Sequence, residues 1–573
     1  MARFGICGPT YQSQAANADA QLTMNWYPEF IESQAGNSPI VMYPTPGLKT
    51  FIDLNGFAVR GNFSVVGRSF AVVGTHFYEV LANGTSVNRG TVANDSMPVS
   101  MAASPQQLLL ASAGVTYVFD LDTNTFTPIS ETGAITSALP HSGTPGSGFA
   151  VGDQVQVVQA GGSGAILQVA TEVGGVPTSW LVVNDGEGYQ TATGVSTTIY
   201  SGSGTAGEVD ITCAQTFDGP VSQVAICDDF FIALIANSKE FYVSAALDAT
   251  DWVANGSAIV SVFPDDIVGM LVDHREIWFW SDTQSVVYYD SGNVFPFDVV
   301  AGAFIETGLA AKLTPVQMNN TVFWLGADAR GRGVAWMGYG YLPQRVSNHA
   351  IEYAWSLYSR IDDAIAFSYQ DQGHQFWVIY FPTGNATWVY DALTNMWHER
   401  GFWNASIGQF QAARYQNHTF NFGKHLVGDY QSGKIYQMSI PVANGTVWDF
   451  ADDDGAPIRH VRRAPHISNE QKRMFFSELQ VYLESGIGPI PPLEDGSGNP
   501  RGPMLALRTS KDGGHTWSPF SERSCGQAGK YHTRVRWLRL GRARDLIFEI
   551  SGSDPFPYRI VDGYLQEIPG TGI

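Results

Sequence analysis

The segment 510–517, SKDGGHTW, has the pattern S-x-D-x-G-x-T-W of the turn known as an Asp-box. In such a turn a carboxylate accepts hydrogen bonds from its own hairpin, and a glycine adopts the positive φ that the bend requires. Ser510, Asp512, Gly514, Thr516 and Trp517 are therefore interpreted as a structural turn, with the indole packed beneath it. Because these residues face the turn rather than a cleft, the motif predicts a fold element and not a catalytic activity.

A second acidic loop, 120–131 (DLDTNTFTPISE), resembles a calcium-binding loop, since Asp120, Asp122, Asn124 and Glu131 occupy ligand-like positions. Thr125 stands where such a loop needs glycine, and no helical pattern flanks it, so a hairpin turn without an ion is favoured. The sequence also lacks the G-x-S-x-G, H-E-x-x-H, phosphate-loop and C-x-x-C motifs. We therefore expect no catalytic residues, no cofactor-binding residues, no metal site and no enzymatic activity.

The chain is most basic between residues 523 and 544. Within this stretch RVRWLRL alternates charged and apolar residues, which predicts a strand with one charged face. Such a face is either simply solvated or a docking surface for an acidic protein, and both interpretations stay open. The candidate docking residues are Arg534, Arg536, Arg539, Arg542 and Arg544.

Short strands joined by tight turns account for most of the chain. The hairpin 117–126, YVFDLDTNTF, recurs at 388–397 as WVYDALTNMW and, in a shorter form, at 287–295 as VYYDSGNVF. A recurring hairpin predicts copies of a four-stranded unit and therefore a β-propeller. Seven strand clusters have blade-like spacing, although strands shared between the chain ends would give six blades. One helix is predicted at about 348–358, with Ser347 as its N-cap.

The domain organisation follows from shifts in composition along the chain. The propeller is interrupted by a stretch rich in Gly, Ser, Thr and Val, which we interpret as a small β-domain inserted at a loop tip. After about residue 441 a linker leads into strands typical of an antiparallel, sandwich-like domain. We predict an irregular N-terminal arm at 1–56, propeller at 57–132 and 216–440, the insertion at 133–215, and the sandwich-like domain at 441–573.

Charge is distributed unevenly along the chain. Residues 1–454 carry 16 basic and 41 acidic residues, a net of −25, whereas residues 455–573 carry 16 and 12, a net of +4. A basic groove that grips nucleic acid is hard to build from the acidic part. The acidic part serves either solubility alone or a surface that DNA passes without sticking.

Cellular location can be judged from cysteine usage and the apolar runs. The four cysteines have no metal-ligand spacing and are too sparse for a disulfide framework, which indicates reduced thiols in a protein assembled in the cytosol. The N-terminal residues lack the pattern of a signal peptide. The longest apolar run, at 230–236, is too short to span a membrane.

Several segments together resemble one protein family. They are NWYPEF at 25–30, PTPGLKTF at 44–51, GLAAK at 308–312, VSNHAIEYAW at 346–355, LVGDYQSGKIYQM at 426–438, and the C-terminal TRVRWLRLGRARDLIFEISGSDPFPYRIVDGYLQEI. In this order they resemble the packaged-DNA stabilisation proteins of short-tailed bacteriophages, also called tail hub or nozzle proteins. The insertion at 133–215 is expected to lie outside the part that resembles the family.

The resemblance implies a virion protein of the phage tail, made in the host cytoplasm. Its implied form is a ring of propeller subunits, hexameric, that continues the DNA channel below the portal and its head-to-tail adaptor protein. The ring would retain packaged double-stranded DNA, which passes through the lumen without sequence-specific binding, and would hold a tail fibre, spike or needle protein. The resemblance implies neither a cofactor nor membrane insertion by this chain.

A different class of function stays open beside this one. A propeller of a phage tail can also recognise the host by binding or cleaving surface glycan, and fold alone does not separate the two functions. Stoichiometry does, because a spike is normally trimeric and a hub hexameric. A cellular kelch-like scaffold is disfavoured by the absence of glycine-doublet repeats.

Overall fold

The computed structural model describes residues 2–33, 36–129, 132–186, 188–213, 216–252, 255–328, 331–441 and 450–569. Aromatic and β-branched runs separated by Gly, Asn and Asp turns form strands throughout these ranges, as their β propensity favours. The architecture is all-β, as the sequence predicts. It consists of a propeller, an inserted β-domain and a β-sandwich.

Over the residues that the structure describes, seven four-stranded antiparallel blades make up the propeller. Blade 1 comprises Val59–Val65, Arg68–Val73, His76–Val80 and Ser86–Thr91. Blade 2 comprises Ser100–Ala103, Gln107–Ser112, Val115–Asp120 and Phe126–Pro128. Blade 3 comprises Val221–Cys227, Phe230–Ile235, Glu240–Ala246 and Ser257–Ile259. Blades 4 and 5 comprise Gly269–Asp273, Glu276–Trp280, Ser285–Asp290, Phe297–Ile305; and Val316–Met318, Thr321–Asp328, Gly331–Tyr339, Leu342–Arg345, with Gly308–Leu309 alongside. Blade 6 comprises Ile365–Asp371, His374–Phe381, Ala386–Asp391 and Met396–Asn404, extended by Gln409–Ala412.

Blade 7 is completed by the beginning of the chain. Its strands Tyr415–Asn421, Lys424–Asp429 and Lys434–Ser439 are joined by Gly47–Asp53, with Leu48 opposite Met438. Closure by a shared strand therefore yields seven blades and not six. The predicted irregular arm at 1–56 is wrong in this respect, because its described residues form strands that join the propeller and the sandwich.

The recurring hairpin has one physical cause in both full copies. Asp391 accepts hydrogen bonds from the Leu393 N–H (3.0 Å) and the Thr394 hydroxyl (2.9 Å). Asp120 accepts the corresponding bonds from the Asp122 N–H (3.0 Å) and the Thr123 hydroxyl (2.8 Å). In each copy the residue after threonine is an asparagine with positive φ, +58° at Asn124 and +56° at Asn395, a conformation that asparagine tolerates. The repeat is thus a turn motif that starts the outermost strand of a blade.

The helix lies at His349–Ser356, within the predicted range. Its N-cap is Asn348 and not Ser347, because the Asn348 side chain accepts hydrogen bonds from the Ala350 and Ile351 N–H groups, each at 3.1 Å. The hydroxyl of Ser347 instead donates to Glu352 at 2.6 Å. Serine and asparagine are comparable N-caps, so sequence preference could not separate adjacent candidates.

The inserted domain is a six-stranded sheet that curves round its own core. Along the sheet the strands are Ile135–Pro140, Glu208–Cys213, Ala192–Ser201, Gln154–Val157, Ile166–Val173 and Val176–Asn184, with a small ladder formed by Thr132–Gly133 and Tyr189–Gln190. The first and last strands meet, since the Ile135 N–H donates to the Asp185 carbonyl at 2.9 Å. The buried Tyr189 hydroxyl donates to the Val157 carbonyl inside this small barrel.

The sandwich combines both ends of the chain. One sheet contains Ala2–Phe4, Trp26–Phe30, Ile40–Pro44, Ile560–Pro569, Met474–Leu483 and Val535–Ala543. The other contains Ala20–Met24, His460–Arg463, Asp545–Gly552, Met504–Ser510 and Ser521–Ser524, flanked by Tyr11–Gln12 and Ile467–Ser468. Between them lies an apolar core that includes Trp26, Leu479, Trp537 and Phe548.

The second sandwich sheet is continuous with blade 6. Ala20–Met24 pairs with Met396–Asn404 on one side and with His460–Arg463 on the other. The stretch predicted as a linker therefore forms strands over its described residues, and Asp452–Asp453 and Ala456–Pro457 extend blade 7. A two-stranded sheet of Leu493–Glu494 and Pro500–Arg501 lies between the strands Met474–Leu483 and Met504–Ser510. Propeller and sandwich are thus joined by shared hydrogen-bonded strands and not by a flexible tether.

Candidate functional site

The candidate docking arginines lie on or directly beside the strand Val535–Ala543, which is an edge of the first sandwich sheet and pairs with Met474–Leu483. Val535, Trp537 and Ala543 point into the core, because alternate residues of a strand face opposite sides. The arginines that the sequence singled out are all exposed: Arg534, Arg536, Arg539, Arg542 and Arg544. We define these five residues as the arginine face.

A bulge interrupts the strict alternation predicted for this strand. The register shifts opposite Phe476 and Glu478, and Arg539 adopts φ of +59°. Leu538 and Arg539 are consequently both exposed, although they are adjacent. The bulge places an apolar side chain among the guanidinium groups.

Few protein groups engage the arginine face. Arg536 lies 3.5 Å from the Glu478 carboxylate, and Arg544 donates to the Gln471 carbonyl at 2.7 Å. Within the described ranges, the side chains of Arg534, Arg539 and Arg542 have neither a hydrogen bond nor an ion pair.

Exposed apolar residues accompany these charges. Leu538 is 58% exposed and Phe475, opposite Arg542 on the neighbouring strand, is 47% exposed. A surface that combines unpaired guanidinium groups with exposed Leu and Phe side chains has the composition of a protein interface, where arginine and aromatic residues are enriched.

The Asp-box has the turn geometry expected of it. Asp512 accepts hydrogen bonds from the Thr516 hydroxyl (2.5 Å), the Thr516 N–H (2.9 Å) and the Ser510 hydroxyl (2.7 Å). These bonds, those of Thr516 foremost, hold the pKa of the Asp512 carboxyl well below its ordinary value. The Gly514 N–H donates to the Ser510 hydroxyl at 2.8 Å, and Gly514 has φ of +95°. All these contacts lie within the turn, so the motif stabilises the hairpin.

A ladder of alternating aromatic rings and guanidinium groups crosses the second sandwich sheet beside the Asp-box. Neighbouring members lie 3.9–5.7 Å apart, from guanidinium carbon to ring centroid. Buried Glu549 pairs with two of the arginines, accepting hydrogen bonds at 2.6 and 3.0 Å. In order, the ladder is Trp403, Arg459, Phe520, Arg508, Trp517 and Arg463.

The ladder borders a cleft of about 650 Å³ between the propeller and the sandwich. Trp403, Arg459 and Phe520 line it, together with the carboxylates of Glu494 and Glu522. In the part of the chain that the structure describes, neither of these two carboxylates has a hydrogen-bond or ion-pair partner. Residue spacing gave no signal for this cleft, because its walls come from segments more than a hundred residues apart.

A separate cavity of about 470 Å³ lies where the inner strands of the blades converge. Its ionisable lining residues, among those described, are Arg60, Lys312 and His418. Arg60 is buried and bonded to Asp95 at 2.9 Å. The cavity has the size of a small-molecule pocket, and it is not acidic.

The calcium-like loop forms a hairpin turn over its described residues. Asp120 bonds to its own hairpin, as described above, and Glu131 lies outside the described residues. Among the described residues there is no group of three or more His, Cys, Asp or Glu side chains arranged to hold a metal. Within those same ranges, no helix has the length and apolar character needed to cross a bilayer.

Three comparisons with known proteins were informative to different degrees. Curated protein sequences yield no match to this chain. Solved structures similar to it include the computationally designed Ika8 protein (8% identity, 68% of this chain and 99% of that chain covered, TM-score 0.32). Others are the N-terminal domain of Nup159 (7%, 73% and 98%, 0.36) and a quinonprotein alcohol dehydrogenase-like protein from Bacteroides thetaiotaomicron (11%, 60% and 65%, 0.31). With TM-scores this low, these similarities carry no argument.

Family models give a direct result. A model described as bacteriophage P22 Gp10, beta-propeller, matches residues 6–144 and 150–443, and one described as bacteriophage P22 Gp10, beta-sandwich, matches residues 459–566. The first match includes the insertion apart from residues 145–149, so the expectation that 133–215 lies outside the family is wrong. The resemblance seen in the sequence is confirmed. This chain belongs to the bacteriophage P22 Gp10 family, the tail hub or nozzle proteins that stabilise packaged DNA.

Proposed function

We propose that this structural protein of the phage tail forms a ring, hexameric, that continues the DNA channel below the portal and adaptor. The ring retains packaged DNA and anchors fibres, spikes or a needle. It acts mechanically and not as an enzyme, and it is made in the host cytoplasm before assembly into the virion. Family membership carries this proposal, and the charge distribution supports it.

The conduit for DNA lies between subunits in this proposal. The cavity inside one propeller is too small for a duplex and is lined by Arg60, Lys312 and His418. A channel therefore requires several copies arranged around a common axis. The rigid join between blade 6 and the sandwich suits a subunit that must keep its shape under the pressure of packaged DNA.

The net charge of −25 on residues 1–454 is what a sliding surface needs. Carboxylates repel the phosphate backbone, whereas a basic lining would release counterions and hold the DNA. We propose that the propeller and insertion face the lumen or the distal end, and that the arginine face meets neighbouring proteins. An assembled tail whose bore is lined by lysine and arginine would contradict the first part.

Stoichiometry tests the proposal. The mass of the purified chain is measured with and without its adaptor, and the assembled tail is imaged by electron microscopy. Six copies in a ring are expected, and three copies at a fibre tip would contradict the proposal. A monomer in the absence of adaptor is compatible with a ring that forms only on that partner, so the measurement with adaptor decides.

A second candidate function is host-glycan recognition, and the cleft beside the ladder favours it. Aromatic rings such as Trp403 and Phe520 pack against sugar C–H faces, while the carboxylates of Glu494 and Glu522 accept hydrogen bonds from hydroxyl groups.

Calorimetric titration with oligosaccharide from the host surface polysaccharide tests this candidate. Glycan recognition predicts saturable binding that Glu522→Gln weakens and that Glu470→Gln, at an exposed site outside the cleft, leaves unchanged. If titration with the native saccharide gives no heat of binding, glycan recognition is contradicted and the hub proposal is unaffected. Release of reducing ends by the purified chain would instead show that the chain cleaves glycan.

A further inference from the structure

The insertion is a separate module attached to the propeller by two neighbouring chain segments. Among the described residues, its hydrophobic core consists only of residues from Ile135 to Cys213, and it shares none of the cores of the blades. The two connecting segments are tied by a hydrogen bond from the Thr216 hydroxyl to the Ile129 carbonyl at 3.1 Å. The module therefore projects from the propeller between blades 2 and 3.

The surface of this module is apolar in a region where its first and last strands meet. Leu139 on Ile135–Pro140 is 63% exposed, and Leu181 and Val183 on Val176–Asn184 are 56% and 50% exposed. Large aliphatic side chains exposed together on two adjoining strands are typical of an interaction surface. We call these three residues the insertion patch.

Charge is one-sided in this module. Residues 133–215 contain six acidic residues and no lysine or arginine. Asp185, which follows the strand of Leu181 and Val183, is exposed, and within the described residues its carboxylate has no hydrogen-bond partner. The module thus carries acidic charge without lysine or arginine, and Asp185 lies two residues after Val183 of the insertion patch.

The arginine face is complementary in both properties. It offers five guanidinium groups with no acidic residue between positions 534 and 544, and it is accompanied by exposed Leu538 and Phe475. Opposite potentials around matched apolar centres orient two surfaces and disfavour other partners.

The two surfaces belong to different domains of one subunit. The sandwich, which carries the arginine face, joins the propeller at blades 6 and 7, whereas the insertion leaves between blades 2 and 3. Contacts between two different surfaces are head-to-tail, and they close into rings when the rotation permits.

We propose that the insertion patch of one copy docks on the arginine face of the next copy. This inference rests on the proposed ring and names the contact between its subunits. The occupant of the arginine face is then a second copy of this chain. The adaptor or a fibre protein is the alternative occupant that the test must separate.

Two variants test the contact under the conditions in which the wild-type chain forms rings, with adaptor where that is required. One carries Arg536→Glu and Arg542→Glu, and the other carries Leu181→Glu. Each variant alone is expected to lose rings, with subunit affinity weakened by at least about tenfold, because it places charge against charge or buries a carboxylate. Circular dichroism verifies that both variants remain folded.

Mixing the two variants gives the decisive result. The first variant retains an intact insertion patch and the second an intact arginine face, so an equimolar mixture should form one-to-one dimers and nothing larger. Native mass spectrometry measures this stoichiometry. Controls at exposed propeller sites, Val294→Glu and Arg360→Glu, should form rings as the wild type does.

The outcomes separate the two proposals. Rings in either variant, or no dimer in the mixture, would overturn the proposed contact while the ring itself stands. A loss of adaptor binding by the arginine variant, with subunit contacts intact, would assign the arginine face to the adaptor. If the wild-type chain forms no ring even in the tail, the proposed function fails and the contact with it.

Discussion

The propeller and the sandwich use the sequence in opposite ways. Six of the seven blades are built from contiguous stretches of chain, and each can form from neighbouring hairpins. The sandwich instead pairs strands such as Ala2–Phe4 and Ile40–Pro44 with Ile560–Pro569, more than five hundred residues away. Local repeats thus define the propeller, whereas long-range contacts define the sandwich.

This difference shows what the first fifty residues do. They supply strands to both sandwich sheets and the strand that completes blade 7. They also contain Asn25, whose side-chain amide donates to the Gly401 carbonyl of blade 6 and to the Arg459 carbonyl of the sandwich. We infer that the N-terminal segment fastens the two domains together, and that changes there act on both.

The largest effect is expected at Arg462, which is fully buried and forms no ion pair with a carboxylate among the described residues. It donates to the carbonyls of Ile6 (2.6 Å) and Pro9 (2.8 Å) and to the side chains of Gln21 and Thr23. Arg462→Met leaves these acceptors unsatisfied and should cost about 3–5 kcal/mol of the free energy of unfolding.

Urea unfolding measures that loss, and hydrogen exchange locates it. The expected pattern is early exchange in Ala20–Met24 with normal protection in blades 2 to 5. Arg473→Met, at an exposed site on the same domain, should change stability by less than about 0.5 kcal/mol. A uniform loss of protection over the whole chain would show that the N-terminal segment is not a separate fastening.

A slightly smaller effect is expected at Leu48, which is 1% exposed in the strand that closes blade 7. Leu48→Ala removes buried methyl groups from a core shared with Tyr27 and Val427, and should cost about 2–4 kcal/mol. Leu109→Ala in blade 2 is the matched control, because Leu109 is equally buried in a contiguous blade. Both variants lose stability in a thermal scan, but only Leu48→Ala should expose the N-terminal segment to protease. Equal protease resistance of the two variants would mean that closure of the propeller does not depend on this strand.

The third effect tests a buried contact between the two domains. His374 of blade 6 lies 2.7 Å from the Asp391 carboxylate and 3.5 Å from that of Glu29, on the sandwich strand Trp26–Phe30. Burial opposes a charged imidazole, but the hydrogen bonds and charges of Asp391 and Glu29 outweigh it and raise the pKa of His374 to about 9.

A raised folded-state pKa determines how stability depends on pH. The contribution of the His374 pair is complete below the unfolded pKa of about 6.5 and is lost as pH rises through about 9. Relative to His374→Gln, the wild-type free energy of unfolding should therefore fall by about 3 kcal/mol between these values. Urea titrations at several pH values measure the free energy of unfolding of both proteins. If the two plots of this free energy against pH are parallel, His374 is uncharged in the folded protein.

Local chemistry is what the sequence predicts best. The recurring Asp-Thr-Asn hairpin, the Asp-box and the exposed arginines were predictable because each depends on neighbours within about ten residues. The propeller follows from the repetition of such units.

Features assembled from distant residues were not predictable. The strand Gly47–Asp53 follows two prolines and was taken for irregular chain, because only its partner Lys434–Ser439 makes it a strand. The ladder and its cleft draw on residues from Trp403 to Asp554 that share no spacing. The stretch before His460 was interpreted as a linker, but Asp452–Asp453 within it pairs with Ala456–Pro457 and with Leu48 of blade 7, a distant contact that its local sequence does not reveal.

The smallest effect is expected at Asp512. A substitution there distinguishes a purely structural turn from a turn that also contacts a partner. Its pKa is depressed by the hydrogen bonds that it accepts, those of Thr516 foremost, so its contribution is present above an ordinary carboxyl pKa and lost at lower pH. Asp512→Asn should lower the thermal midpoint less than the three changes above, with the difference from wild type vanishing in acid. Lys511→Gln in the same turn is the control.

Because the bonds of Asp512 all lie within the turn, ring assembly and tail stoichiometry should be unchanged. A folded Asp512→Asn chain that fails to assemble would place a partner on the Asp-box and extend the docking surface beyond the arginine face.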